Sequence, residues 1–201
     1  LFAFANLFVQ SSVNSFDHVL VEGNSAAANA DPLVYDMMAA FYTACSSFIA
    51  QNFGAKKKKR ILQTYLICLF YSFITSLVLG VGLYLARYPF LYLFTSDKAV
   101  VEAGITRLSI MALSYSASAF MDASIAASRG LGKTAVPTFV VVMGSCVFRI
   151  IWIYTIFAYF HTIQSLYILY VFSWGITAIA ENIYFFHVYR HTLTGKTESH
   201  L

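Results

Sequence analysis

Six times along this chain an apolar run about as long as a bilayer is thick ends in a short polar cluster, which leaves few folds open. A helix crossing hydrocarbon needs about 20 mainly apolar residues, and in lipid only helices and closed barrels satisfy their own backbone groups. The runs read as spans over about 1–21, 25–54, 61–87, 99–127, 135–160 and 164–190. Gly23-Asn24-Ser25, Gly54 to Arg60, Thr95 to Lys98, Arg129 to Pro137 and His161 to Ser165 supply the breaks, none long enough for a soluble domain. Composition agrees: 59% of the residues are apolar and 11% charged, against about 45–50% and about 25% in soluble domains. The expected fold class is an all-α membrane protein with six transmembrane helices.

Charge orients the spans. Lys56 to Arg60, Arg129, Lys133, Arg190 and Lys196 follow the even-numbered runs, so nine of the thirteen Lys/Arg fall on one side, with Glu198 the only acid there. The opposite side carries Arg87, Lys98 and Arg107 mixed with Asp17, Glu22, Asp31, Asp97 and Glu102. By the positive-inside rule both ends are expected in the cytoplasm, in a multi-pass plasma (inner) membrane protein. The net charge of +4 sits at segment ends, which suits topology rather than nucleic acid. Leu1 already lies in an apolar run, with no initiator Met and no signal-peptide layout, so the chain reads as part of something longer. Cys45, Cys68 and Cys146 each sit in an apolar run and read as packing residues, not a disulfide framework. Tyr84, Tyr88, Tyr92, Tyr159, Tyr167 and Tyr189 are expected as interfacial anchors. The small residues of the second and fourth runs invite close helix packing.

Chemistry is expected at Asp122, a carboxylate within the apolar stretch 119–127 whose exit turn is basic and glycine-rich. A charged group inside a membrane helix loses hydration, so such acids commonly line ion or substrate pathways. Asn6, Gln10, Asn14 and Asp17 recur at helical spacing and form either a cavity wall or an interhelical hydrogen-bonding seam. Asp36 reads as an interfacial or helix-start acid. Arg149 and Glu181 lie at similar depth in the fifth and sixth runs and read as a buried ion pair, with proton or substrate handling as the alternative. Two motifs are declined. Gly132-Lys133-Thr134 lacks the upstream glycine (Ala127 stands there) and the preceding strand of a phosphate-binding loop. His187 and His191 share a helix face but have no third ligand, and no nucleophile–base pair suggests an enzyme.

Three stretches carry a family likeness. Gln51-Asn52-Phe53-Gly54-Ala55 with its basic tail, Leu93-Phe94-Thr95-Ser96-Asp97, and Met121-Asp122-Ala123 with Arg129-Gly130-Leu131-Gly132-Lys133-Thr134 and Pro137 occur in this order. The chain resembles the C-terminal half of a multidrug and toxic compound extrusion (MATE) transporter of the bacterial NorM-like kind. The resemblance implies one six-helix lobe, residues 1–201, of a twelve-helix transporter whose N-terminal lobe lies outside this chain. It implies no enzyme activity and no cofactor, but drug or metabolite export coupled to entry of H⁺ or Na⁺, with Asp122 in the cation-binding position. NorM-like members also place glutamates in the seventh helix, whereas Leu1 to Asn14 contain no carboxylate.

The mechanism this suggests is alternating access about a central cavity. Asp122 would exchange a coupling ion for a cationic amphiphile, beside Asn6, Gln10, Asn14, Tyr115 and Phe120, whose rings suit flat cations. The alternatives are a lipid-linked oligosaccharide flippase, which needs several cavity-facing cations, and a non-transporting membrane assembly subunit, in which Asp122 is structural. A bound metal other than a coupling ion is left unknown.

Overall fold

The computed structural model describes residues 2–192, with side chains from Ala5 onward. Every regular element among them is helical: α1 (Phe2–Val13), α2 (His18–Ala28), α3 (Ala30–Gly54), α4 (Lys58–Leu85), the short α5 (Arg87–Tyr92), α6 (Lys98–Gly130), α7 (Ala135–Phe160) and α8 (Ile163–His191). Among the described residues, five stretches are long and apolar enough to cross a membrane: α2 with α3 (His18–Gly54), α4, α6, α7 and α8. The fold class is thus the expected all-α membrane architecture. The first span is drawn differently.

The expected helix over 1–21 is divided. α1 stops at Val13, residues 14–16 turn the chain, and Asp17 starts α2 by accepting a hydrogen bond from the Leu20 amide at 2.8 Å. Asp17 therefore caps a helix instead of extending the Asn6–Gln10–Asn14 stripe, because a short acid before a helix satisfies amides that have no partner within it. Gly23-Asn24-Ser25, expected as a break, lies inside α2. Gly23 serves packing: a Cβ there would come within 2.7 Å of Ala103 Cβ and the Val100 carbonyl of α6. At Asn29 the two helices join almost end to end, and its amide group donates to the Ser25 and Ala26 carbonyls, both at 3.1 Å. Pro32 follows in the first turn of α3, where its missing N–H costs little.

α6 is the centre of the bundle. Two-thirds of its apolar window (67%) is buried, against 22% for α4. Its buried face alternates small and large side chains, with Ser118, Ala119, Ser124, Ala126, Ala127 and Ser128 all at 0% exposure. Contacts march in register along α2–α3 and α6: Gly23 against Gly104, Asp31 with Arg107, Met38 with Ser118, Cys45 with the Ala123 carbonyl, Ile49 against Gly130. The two therefore run parallel, which suits helices separated by one crossing of the chain. α4 runs antiparallel to α6, the Tyr65 hydroxyl meeting Ser124 at 3.1 Å and Gly80 lying against Ala112. α8 covers a further side of α6, with Asn182 reaching the Phe120 carbonyl at 3.4 Å. α1 packs on α7, α8 and α2.

The turn from α6 to α7 closes as its sequence implies. Lys133 N–H donates to the Ser128 carbonyl at 3.0 Å, Gly132 takes a positive φ of 76°, and Pro137 sits in the first turn of α7. α7 is irregular, with π-helical stretches at Val142–Val147 and Ile153–Phe157 on either side of the turn that carries Arg149. Such wide turns re-aim side chains and recur near functional sites.

The surface is apolar. Leu66, Ile67, Phe70, Tyr71, Ile74 and Val78 of α4 are exposed, as expected of a lipid-facing helix. Tyr84, Tyr88, Tyr92 and Tyr159 are exposed too, and the Arg87 guanidinium lies 4.6 Å from the Tyr84 ring centre. Tyr167 departs from its expected anchoring role: at 2% exposure it belongs to the core formed by α1, α7 and α8. All three cysteines are free thiols.

Candidate functional site

Asp122 lies on the part of α6 that meets α3 and α4. It lines a narrow crevice, too tight for a water molecule, with Phe41, Tyr42, Cys45, Cys68, Ser72 and Ala123. Phe41, Tyr42 and Cys45 come from α3, Cys68 and Ser72 from α4. The closeness of this wall follows from the small residues: with Ala123, Ser124, Ala126 and Ala127 on α6, neighbouring helices approach without bulky side chains between them. No hydrogen bond among the described residues reaches the Asp122 carboxylate.

The other expected cavity residues are not gathered around it. Asn6 and Gln10 are exposed on α1 and Asn14 in the turn that follows it, and Gln10 donates to Asn14 Oδ1 at 2.9 Å, so the stripe is in part bonded to itself. Asn6 accepts from Arg149 Nη1 at 3.1 Å. Phe120 opens onto a separate apolar groove of about 560 Å³ between α4, α6 and α8, lined also by Phe73, Ala117, Ala178, Ile179 and Asn182. Two residues along a helix turn a side chain by about 200°, which is why Phe120 and Asp122 face different neighbours. Tyr115 lines neither this groove nor the Asp122 crevice. It is fully buried and its hydroxyl donates to Asp31 Oδ1.

That bond belongs to a cluster that spacing along the chain does not reveal. Arg107, expected among the charges of the outer side, is 6% exposed inside α6 and donates through Nη2 to Asp31 Oδ2 at 2.7 Å. Asp31 sits in the first turn of α3, so one carboxylate clamps a cation and a phenol of α6 to the start of its parallel neighbour. The Tyr35 ring packs edge-on against Tyr115 at 5.7 Å and against Trp174 at 6.2 Å. One signal for it is present: Arg107 follows Ile105 and precedes Leu108, Ile110 and Met111, and an arginine so placed needs an acidic partner. Asp36, by contrast, is exposed on α3.

The expected Arg149–Glu181 ion pair does not form. Arg149, 3% exposed, donates through Nε to Ser173 Oγ at 3.3 Å, bonds Asn6, and lies 4.4 Å over the Tyr170 ring. Glu181 is farther down α8 than Ser173 by about 12 Å at the helical rise, beyond the reach of an arginine so engaged. Glu181 has 0% exposure and neither carboxylate oxygen has a hydrogen-bond partner. The cation whose charge reaches it is Arg129, at the end of α6.

Comparison with known proteins agrees with this architecture. The MatE family profile matches residues 1–155. The chain belongs to the MatE family, whose members are membrane transporters rather than enzymes. The Vibrio cholerae MATE transporter VcmN in its bent form superposes with a TM-score of 0.84 at 19% identity, covering 94% of this chain and 43% of VcmN. A mutant form of VcmN gives the same figures, TM-score 0.84 and 19% identity over 94% and 43%. A MOP superfamily transporter from Pyrococcus furiosus, whose binding pocket is described as of reverse polarity and suggestive of a different function, gives TM-score 0.73 and 18% identity over 96% of this chain and 45% of that one. The chain thus spans less than half the length of these transporters. A search among proteins of curated function finds no match.

Proposed function

We propose that this chain is one six-helix lobe of an ion-coupled exporter of organic cations, completed by a second lobe, and that Asp122 is the carboxylate shared by coupling ion and substrate. The observation that carries the reading is the position of Asp122: on the most buried helix of a MatE-family bundle, against α3 and α4, with no hydrogen bond to its carboxylate. The coupling ion that suits this site better is H⁺ rather than Na⁺. A hard cation seeks several oxygen ligands, and the crevice walls offer only the Tyr42 and Ser72 hydroxyls beside Asp122. A proton needs the one carboxylate.

Transport by alternating access then requires the acid to meet water from one side with a proton and from the other with a cationic amphiphile. The flippase alternative draws no support from the two deep arginines. Arg107 is held by Asp31, and Arg149 by Asn6, Ser173 and Tyr170, so neither is offered to a diphosphate. In the complete transporter reconstituted into liposomes, Asp122→Asn is expected to insert normally and to reduce gradient-driven ethidium efflux to the rate of empty liposomes. Wild-type efflux by that variant would refute the assignment.

A further inference from the structure

At the end of the bundle that carries the lysine-rich turn, α6 and α8 close their last carbonyls without help from the basic side chains beside them. The Leu131, Gly132 and Lys133 amides donate to the Ala127, Arg129 and Ser128 carbonyls, and the Thr192 amide to Val188. The Arg190 carbonyl takes Lys58 Nζ at 2.9 Å. Basic residues near helix C-termini commonly serve such carbonyls, but Lys133, His187 and His191 do not. Among the described residues these three side chains form no hydrogen bond or ion pair, and their one contact joins the two imidazoles, with ring centres 4.7 Å apart. They face a common hollow of about 490 Å³ instead, lined also by Phe53 of α3, by Leu131, and by Tyr184, Val188 and Thr192 at the end of α8. No carboxylate of the described residues lines it. Its size is ordinary for a small-molecule site.

We infer that this hollow holds the phosphate headgroup of an anionic phospholipid from the leaflet at that end of the bundle. Three membrane-crossing stretches stop around it, at Gly54, Gly130 and His191, which sets it at the depth of lipid headgroups. Lys133 supplies the fixed positive charge, since an ammonium binds phosphate as a point charge. Each imidazole adds an N–H donor whatever its own charge. Phe53, Leu131 and Val188 make the rest of the wall apolar, which suits the glycerol and first methylenes of a lipid. A free phosphate would meet the same cations and leave that apolar wall unused. A zwitterionic headgroup brings a cation of its own toward Lys133 and is disfavoured. The bound lipid would join the end of α3 to α8 and to the turn after α6, three elements brought together there. The inference is independent of the role proposed for Asp122, which lies on another part of α6.

The test is native mass spectrometry of the complete transporter in detergent, mixed with equal amounts of phosphatidylglycerol and phosphatidylcholine of the same acyl chains. The wild type is expected to retain phosphatidylglycerol in preference to phosphatidylcholine, and to keep it in excess inorganic phosphate. Combining Lys133→Ala, His187→Gln and His191→Gln is expected to weaken that retention about tenfold. A control combining Lys56→Ala, Lys57→Ala and Lys59→Ala, exposed lysines of the same end outside the hollow, is expected to bind as the wild type does. Equal retention of the two lipids, wild-type retention by the first variant, equal loss in both variants, or displacement by inorganic phosphate overturns the inference. Lys133, His187 and His191 are exposed, so the first variant is expected to fold. If it does not, Lys133→Glu alone decides: loss of the preference for phosphatidylglycerol supports the site, and an unchanged preference overturns it.

Discussion

Asp31 shows what one side chain holds together in this lobe. Its two oxygens take the Arg107 guanidinium and the Tyr115 hydroxyl, joining the head of α3 to the middle of α6. Removing the acid leaves a nearly buried cation whose second terminal nitrogen, Nη1, already lacks a partner. Breaking buried pairs from one side costs about 3–5 kcal/mol, and the 25% exposure of the Asp31 side chain argues for the lower end. Asp31→Asn should therefore lower the unfolding temperature of the complete protein in detergent, while Asp31→Asn with Arg107→Met should recover most of the loss. Equal unfolding temperatures for the two variants would show that no such pair operates. At this scale the sequence was legible where a residue's place depends on its own helix, as with Asp122 within the apolar run of α6. It was not legible for Arg107 or Arg149, whose partners lie on other helices, at Asp31, Asn6, Ser173 and Tyr170. Spacing along one helix cannot choose among neighbours brought together by tertiary packing.

Helices were read well where hydropathy and punctuation agree, and misread where a glycine meant packing. Gly54 with its lysines ends α3, and Arg129 to Pro137 closes α6 and opens α7, because a positive φ and a proline leave few alternatives. Gly23 carries the same letter for a different reason, the close passage of α6. The shortness of α1 was hidden because Val13, Phe16, Val19 and Leu20 keep the run apolar across the turn. The basic turns bear on orientation as well. Lys56 and Lys57 lie on the turn joining α3 to α4 and Lys133 on the turn joining α6 to α7, at the same end of two parallel helices. Cysteines placed singly at Lys57 and Lys133, in a background whose native thiols are replaced, are expected to react with an impermeant maleimide only in inside-out vesicles. Reaction in intact cells at either position would reverse the proposed topology.

For the whole molecule, the bundle has one deeply buried helix and polar sites distributed along it. Toward the start of α6, Arg107 and Tyr115 fasten it to Asp31, and beyond them Asp122 faces α3 and α4 beside Tyr42. This grading explains why a single cavity containing Asn6, Gln10, Asn14, Tyr115, Phe120 and Asp122 was a reasonable expectation and is not what forms. Small residues close the space around α6, so polar groups meet in narrow seams while the roomier groove beside Phe120 stays apolar. The central claim is that Asp122 exchanges a proton for an organic cation. The most direct measurement is proton release when ethidium is mixed with the complete, weakly buffered protein in detergent, followed with a pH indicator. The account predicts release from the wild type and none from Asp122→Asn. Equal release from both would contradict it.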